Sequence, residues 1–499
     1  MASFPRNLPR VCVALGVLTV AELSRAAERE FKDGNTFLEF RLDYLEDPVA
    51  AVEFVRKFHA RYPEASVLAT CRRKEAHGHY SGSIEQQLAV LSAAANAGAG
   101  FLDLEIESAE LLKAKIAELR ESACVIVSFH DFQKTPALDT VLRRLKRIPA
   151  DVYKIATTAN KPNDNLRLIE FMRAHRGEPL VALAMSEIGL LTRVLGPSLG
   201  SLYTYAAPLA AKGTATGQIP AKCLRSLYRP EKLTKQSRVY GVIASPVAHS
   251  KSPVIHNRGF QSRRIDAVYL PFLVPPARLG EWMKLAGSLP VSGFSVTIPH
   301  KQRIVRYLDR VEPLAKRIGA VNTVWRHAGK WRGTNTDVDG VLRPLSRHLR
   351  VANASILIAG YGGAARAAAI ALSDARAKLT ITGRNLKNAQ SLAGVVSGAA
   401  VTLREAERGN YDVLIHATPV GMEPNASQSL FEGRIPARIV FDMVYNPRET
   451  ALLRSARQDG CTIIPGSEML LEQAVRQFEI WTGEAAPRGA MQAALDQLL

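Results

Sequence analysis

Eight short apolar segments recur through the first half of the chain, at 11–17, 37–45, 67–72, 101–106, 124–131, 152–159, 180–186 and 201–207, each followed by a helical pattern. Successive starts are separated by about the length of a strand, a loop and a covering helix. Eight such units predict a (β/α)8 barrel. Thr19-Val20-Ala21-Glu22 and Ser83-Ile84-Glu85-Gln86 read as capping boxes that open the helices after the first and third strands. The first box also decides how the apolar run after Arg6 and Arg10 is read, as strand then helix rather than a cleavable leader. At 499 residues the chain exceeds one ordinary core, so further domains are expected beyond the barrel.

Composition matters mainly through charge. The formal net charge of +19 can draw nucleic acid, acidic membrane or small anions, but no block of consecutive basic residues marks a nucleic-acid arm. No stretch approaches the ~20 apolar residues of a membrane span. Cys12, Cys71, Cys124, Cys223 and Cys461 are scattered and odd in number, which fits neither a disulfide framework nor a zinc site and suits a reducing cytoplasm. No metal is expected.

In such barrels the strand C-terminal ends carry the chemistry. There the sequence places Glu39, Arg41 and Asp43 on alternate positions, Arg72, Asp103 and Glu105, His130-Asp131, Lys154, and Met185 with Arg193 soon after. So many charges at one mouth point to a site for a polar anion. Lys154, inside Val152-Tyr153-Lys154-Ile155-Ala156, is expected to be desolvated and partly neutral, as attack on a ketone requires. His130 can move protons near neutral pH.

With Asp103-Leu104-Glu105-Ile106 followed by Val125-Ile126-Val127-Ser128-Phe129-His130-Asp131, residues 8 to 230 resemble a type I 3-dehydroquinate dehydratase. The resemblance implies Lys154 as Schiff-base lysine and His130 as general acid/base. It also implies that Glu39, Arg41, Arg72, Arg193, Thr214 and Gln218 bind substrate and that Met185 packs on the imine. Two positions depart from the family: Phe129 stands where a polar residue or tyrosine is usual, and the acid that orients the histidine aligns with Ala76, leaving Glu75 as the nearest substitute.

Residues 225–238 break the apolar rhythm and read as a short polar linker. A strand at 239–243 then leads to Ser250-Lys251-Ser252-Pro253, where Ser252 reads as an N-cap with proline at the first helical position. Free N–H groups, two hydroxyls and Lys251 there would suit a carboxylate. Phe294-Ser295-Val296-Thr297-Ile298 runs into Pro299-His300-Lys301, and the polar turn at 333–340 offers Asp337 but lacks the later acids of a calcium loop. The run Ala354-Ser355-Ile356-Leu357-Ile358-Ala359 ends in Gly360-Tyr361-Gly362-Gly363-Ala364 and turns at once into an Ala-rich helix, a phosphate cradle. The next strand ends in Gly383-Arg384-Asn385 without the acid that binds the ribose of NAD, so NADP is favoured.

Residues 239 to 495 resemble shikimate dehydrogenase in Ser250-x-Ser252, Thr297 with Pro299-His300-Lys301, and Ala320-Val321-Asn322-Thr323. The likeness continues in Asn335-Thr336-Asp337, the glycine loop, Ala417-Thr418-Pro419-Val420-Gly421-Met422, and Met469-Leu470-Leu471-Glu472-Gln473-Ala474. The resemblance assigns Lys301 and Asp337 to catalysis, and Ser250, Ser252, Thr297, Asn322, Tyr445 and Gln473 to substrate. It places Gly360, Gly362, Gly363, Ala364, Arg384, Asn385, Thr418, Met443 and Gly466 at NADP, with Gly383 where asparagine is usual. The expected organisation is a barrel over 1–234, a substrate-binding domain over 238–338, a Rossmann domain over 339–475, and C-terminal helices over 476–499 packing back on the substrate domain. Together these imply a bifunctional enzyme that dehydrates 3-dehydroquinate to 3-dehydroshikimate and reduces that to shikimate with NADPH. No nucleic-acid or membrane partner is expected, and the oligomeric state stays open. The alternatives are a quinate-preferring dehydrogenase using NAD, and a regulator that retains these folds as ligand sensors.

Overall fold

In the computed structural model, residues 8–209, 213–431 and 433–498 are described. The chain divides into two compact units, one of residues 1–237 with 272–290 and the other of 238–271 with 291–499. In the first, strands β1 (Val11–Leu15), β2 (Phe37–Arg41), β3 (Ser66–Thr70), β4 (Phe101–Glu105), β5 (Cys124–His130), β6 (Val152–Thr158), β7 (Leu180–Met185) and β8 (Thr204–Ala206) form one parallel sheet ordered β7-β6-β5-β4-β3-β2-β1-β8. The ends of that order meet where Leu202 N donates to Leu180 O at 2.8 Å, leaving a nearly closed barrel. Every expected strand is present, and both capping boxes form, at Thr19 with Glu22 and at Ser83 with Gln86.

The barrel is filled in layers because inward positions alternate along each strand. Phe37, Phe101 and Tyr203 plug its lower part, with the Phe101 and Tyr203 ring centroids 5.5 and 4.9 Å from that of Phe37. One step higher on the strands the inward residues are polar, and the site begins there. The first strand-end expectation needs correction: β2 stops at Arg41, and Asp43 lies in a 3-10 turn, Leu42–Tyr44, that folds it back onto Arg41. The joint also differs from a solvated linker. Tyr228 and Leu233 are buried, and the Arg10 guanidinium donates to the carbonyls of Pro230 and Leu233, because a segment carrying large apolar side chains gains more by packing than by hydration.

Two further sheets follow along the chain. Strands β9 (Arg238–Ala244), β10 (Ala267–Leu273), β11 (Val291–Val296), β12 (Arg310–Val311), β13 (Thr323–His327) and β14 (Lys330–Thr334) form a mixed sheet ordered β10-β9-β11-β13-β14-β12. Strands β15 (Ser355–Ala359), β16 (Lys378–Thr382), β17 (Ala399–Ala400), β18 (Tyr411–His416), β19 (Ala437–Asp442) and β20 (Thr462–Ile464) form an all-parallel sheet ordered β17-β16-β15-β18-β19-β20. The order reverses between β15 and β18, and in doubly wound sheets the crevice at that point takes the ligand. The helix Gly466–Thr482 packs on the helix Asp337–Leu345, where Gly340 lets Met469 and Gln473 approach; a Cβ at Gly340 would lie 3.0 Å from Met469 Cγ. The helix Ser252–Ser262, which follows β9, begins one residue earlier than expected. Lys251 is the N-cap, Ser252 the first helical residue and Pro253 the second, and it is Ser250 Oγ that accepts from Ser252 N at 3.3 Å.

Candidate active sites

The barrel mouth opens into a small cavity of about 40 Å3. Glu39, Arg41, Arg72, His130, Lys154, Met185, Arg193, Thr214 and Gln218 all line it, with Phe132 and Tyr205 beside them. Glu105 and Asp131, expected at the same mouth, do other work. Glu105 accepts from Gln87, Ser108 and the Arg73 amide, and Asp131 caps the turn at Gln133 and Lys134, since each sits where its strand hands over to a loop with unsatisfied N–H groups.

Lys154 is buried, and its surroundings are not apolar alone. Its Nζ lies 2.8 Å from Asp103 Oδ2 and 2.9 Å from the Tyr205 hydroxyl. The amine is shielded from solvent as expected, and the partner that spacing did not foretell is Asp103, which enters from β4, two strands away. Asp103 also accepts from Ser128 at 2.6 Å and faces Arg72 at 3.5 Å. Although its burial opposes ionisation, Lys154 and Arg72 hold its carboxyl below the usual range.

Arg41 is engaged by Asp43 through two bonds of 2.8 and 2.9 Å. Arg193 is different. It is 1% exposed, its Nη2 donates to Thr216 O at 3.1 Å, and its Nε and Nη1 have no partner among the described residues. Burial alone pushes this guanidinium down to about 10. An enclosed cation with two idle donors suits the carboxylate of an anionic ligand. His130 ends β5 with its ring stacked 5.9 Å from Phe132. Burial, and then the positive charges of Arg72, Lys154 and Arg41, keep it well below the ordinary histidine value, so the site holds a neutral imidazole that can accept a proton. Glu75 does not support it. Its side chain is 64% exposed and pairs with Arg73 at 3.1 Å, and no carboxylate pairs with His130 among the described residues.

In the second unit Lys301 Nζ lies 2.6 Å from Asp337 Oδ2, while Asn322 Nδ2 donates to Asp337 Oδ1 at 2.8 Å and to Gln473 Oε1 at 3.3 Å. These residues come from the turn after β11, the position just before β13, the helix Asp337–Leu345 and the helix Gly466–Thr482. Behind them Gln477, Thr323 and Thr336 continue the network, and Thr323 donates to Asn322 Oδ1 at 2.7 Å, which fixes the direction of the Asn322 amide. Ser252 is buried, and Thr297, two residues before cis-Pro299, is half-buried. Tyr445, half-buried after β19, is shifted upward by burial.

The glycine loop fits a dinucleotide. Gly360 has φ +125°, and a Cβ there would stand 2.8 Å from Ala417 O. Gly362 and Gly363, at the start of the helix Gly363–Asp374, face open space, so N–H groups are accessible to a phosphate. Arg384 is exposed just beyond β16. The unusual Gly383 has a local reason, because the Tyr361 ring sits 2.8 Å from where its Cβ would be. Asn385 serves as a helix cap, its Oδ1 accepting from Asn388 N at 3.2 Å. Gly466 presses on Met443 and Val444, with a Cβ there only 2.5 Å from Val444 O, which brings Met443 and Gly466 together.

Three residues of the two units had little signal in sequence. Tyr205 reaches Lys154 from β8, and only the barrel's inward alternation marks it; His416 and Asp442 are joined by adjacent strand ends far apart in the chain.

Fold and sites define a lyase-type barrel joined to an NADP-binding oxidoreductase. The type I 3-dehydroquinase family model matches residues 11–235, the shikimate dehydrogenase substrate-binding domain 242–324, and the shikimate 5'-dehydrogenase C-terminal domain 466–495. The bifunctional 3-dehydroquinate dehydratase/shikimate dehydrogenase, chloroplastic, of Arabidopsis thaliana is 35% identical over 97% of this chain and 83% of its own. The NADP-dependent shikimate dehydrogenase of Nitrosopumilus maritimus is 38% identical over 52% of this chain and 98% of its own. A crystal structure of a shikimate dehydrogenase with NADP+ is similar at 35% identity and TM-score 0.51, covering 53% of this chain and 97% of that one. The chain belongs to the bifunctional 3-dehydroquinate dehydratase/shikimate dehydrogenase family, and NADP is its cofactor.

Proposed function

We propose that the barrel dehydrates 3-dehydroquinate through an imine on Lys154 and that the second unit reduces the resulting 3-dehydroshikimate to shikimate. The observation that carries the first step is Lys154 inside a cavity beside an idle, buried Arg193. Arg193, with Gln218 and Thr214, holds the substrate carboxylate and hydroxyls, and the amine leaves Asp103 to attack the ketone. Neutral His130 removes the C2 proton and returns one to the departing hydroxyl. Met185, on the last position of β7, packs on the imine.

In the second unit Ser250 and Ser252 hold the carboxylate, and Thr297, Asn322, Tyr445 and Gln473 hold the ring. Bound NADPH supplies the reducing equivalent. As negative charge grows on the carbonyl oxygen, Lys301 donates a proton to it, and Asp337 keeps the ammonium aimed there. Arg384 faces the 2′-phosphate, and the N–H groups at Gly362, Gly363 and Ala364 hold the pyrophosphate. The same reading assigns 1–234, 238–338, 339–475 and 476–499 as the functional divisions. It places the protein in the cytoplasm, supported by five free cysteines and by the lack of any helix long and apolar enough to cross a membrane among the described residues.

The test is 3-dehydroquinate plus NADPH in one cuvette. Enone absorbance should rise and then fall as NADPH is consumed. Enone growth without NADPH loss, or neither change in folded protein, contradicts the assignment.

A further inference from the structure

The ends of β18 and β19 hold a buried polar chain that the two reactions leave without a task. His416 closes β18 and Asp442 closes β19, with side chains 1% and 0% exposed. His416 Nδ1 lies 2.9 Å from Asp442 Oδ1, and Nε2 lies 2.5 Å from Thr418 Oγ1. Asp442 is itself pinned, accepting from the Thr450 hydroxyl at 2.6 Å and the Val444 amide at 2.9 Å.

A carboxylate only accepts, so Nδ1 carries the proton between them. In the neutral ring Nε2 then offers only a lone pair, and the Thr418 hydroxyl must donate to it. One lone pair of Thr418 Oγ1 takes the Val420 amide at 3.3 Å. The oxygen has one lone pair left, and it can only accept.

Thr418 stands where such an acceptor would meet the dinucleotide. It follows β18 at the point where the sheet order reverses, and it packs on the glycine loop: a Cβ at Gly360 would be 3.3 Å from Thr418 Cγ2. We propose that His416, held by Asp442, is a positioning residue that fixes Thr418 as an obligate acceptor for an N–H or O–H group of bound NADP(H). The inference rests on the assignment of Thr418 to the NADP site.

The test is a cycle of variants of the full chain, assayed as reductase with NADPH varied at saturating 3-dehydroshikimate. His416→Phe keeps a ring but removes the acceptor, and should raise the KM for NADPH about tenfold with kcat within about twofold, the loss of one hydrogen bond. His416→Gln, whose amide oxygen can take the threonine proton, should stay within about threefold. Thr418→Val should match His416→Phe, and the double variant should be no worse than Thr418→Val alone. Additive losses, or an unchanged KM in His416→Phe when Thr418→Val raises it, overturn the relay while leaving Thr418 at the cofactor. An unchanged KM in Thr418→Val overturns the Thr418 assignment itself. If His416→Phe does not fold, imidazole 15N shifts of the unmodified chain, with His416→Gln for assignment, decide instead. They should show the Nδ1-protonated tautomer with and without NADP+, and an Nε2-protonated ring ends the proposal.

Discussion

Both sites are built round a lysine held against an aspartate, at 2.8 Å for Lys154 and Asp103 and 2.6 Å for Lys301 and Asp337, yet the pairs stand in opposite settings. Lys154 is 5% exposed in a barrel mouth where two nitrogens of the Arg193 guanidinium have no partner among the described residues. Lys301 is 22% exposed, and the polar groups behind Asp337 satisfy one another through Asn322, Thr323 and Gln477. An enclosed amine amid surplus positive charge suits bond formation with an anionic ketone, whereas an amine at the edge of a satisfied network suits delivery of a proton. On the proposed assignments, access and local charge balance divide the same pair of residue types between two chemistries.

Reciprocal variants should separate the two most sharply. Lys154→Ala is expected to lower dehydration by about 10^3-fold or more while reduction of supplied 3-dehydroshikimate stays within about twofold. Lys301→Ala should do the reverse, lowering reduction by about 10^2 to 10^4-fold. Borohydride trapping with 3-dehydroquinate should add mass at Lys154 alone. Either variant silencing both reactions, or mass at another lysine, breaks the division.

The idle guanidinium gives a second contrast. Arg193→Met should raise the KM for 3-dehydroquinate about 100-fold, because a buried charge pair is lost. It should also raise the melting temperature of the ligand-free protein by a few degrees, since an unpaired buried cation destabilises it. A fall in melting temperature would mean that Arg193 is structural.

A pH difference should follow in the barrel as well. His130 is held below the ordinary histidine value of about 6.5, so it stays a base as the pH falls, and the acid limb of kcat/KM for dehydration should lie below that value. Below it the unfolded chain binds protons that the folded barrel refuses, so stability should fall as the pH drops from 6.5, readable as a lower urea midpoint at pH 5 than at pH 7. An acid limb above 6.5 contradicts the electrostatic reading. The smallest effect is expected in the second unit, where Arg384→Ala should raise the KM for NADPH about tenfold and that for NADH little, because an exposed guanidinium–phosphate contact is solvent-screened.

The barrel and the paired sheets were legible because apolar periodicity and capping boxes are local signals, and Thr19 with Glu22 forms its cap from four consecutive residues. The candidate site was legible where a charged residue interrupts an apolar strand, as Lys154 does. What went astray depended on partners remote in sequence. Asp103 was visible as an odd acid but not as the partner of Lys154, and Glu105, two residues on and on the same strand face, proved to hold a turn. The register of Ser252 shifted by one because backbone geometry, which proline tolerates at either of the first helical positions, chose Lys251 as the cap. Tyr361, which explains Gly383, lies in another loop of the same fold.

The amino-acid order alone determined the eight-fold strand recurrence, the glycine-loop crossover with Arg384 rather than an acid beyond it, and the residue types available at each strand end, since these depend on neighbours within a few positions. Folding decided which of those groups meet. It set Asp103 on Lys154, left two nitrogens of the buried Arg193 guanidinium without a partner among the described residues, kept His130 neutral, and joined His416 to Asp442. Each of these rests on distance and dielectric between strands, which one-dimensional spacing does not contain.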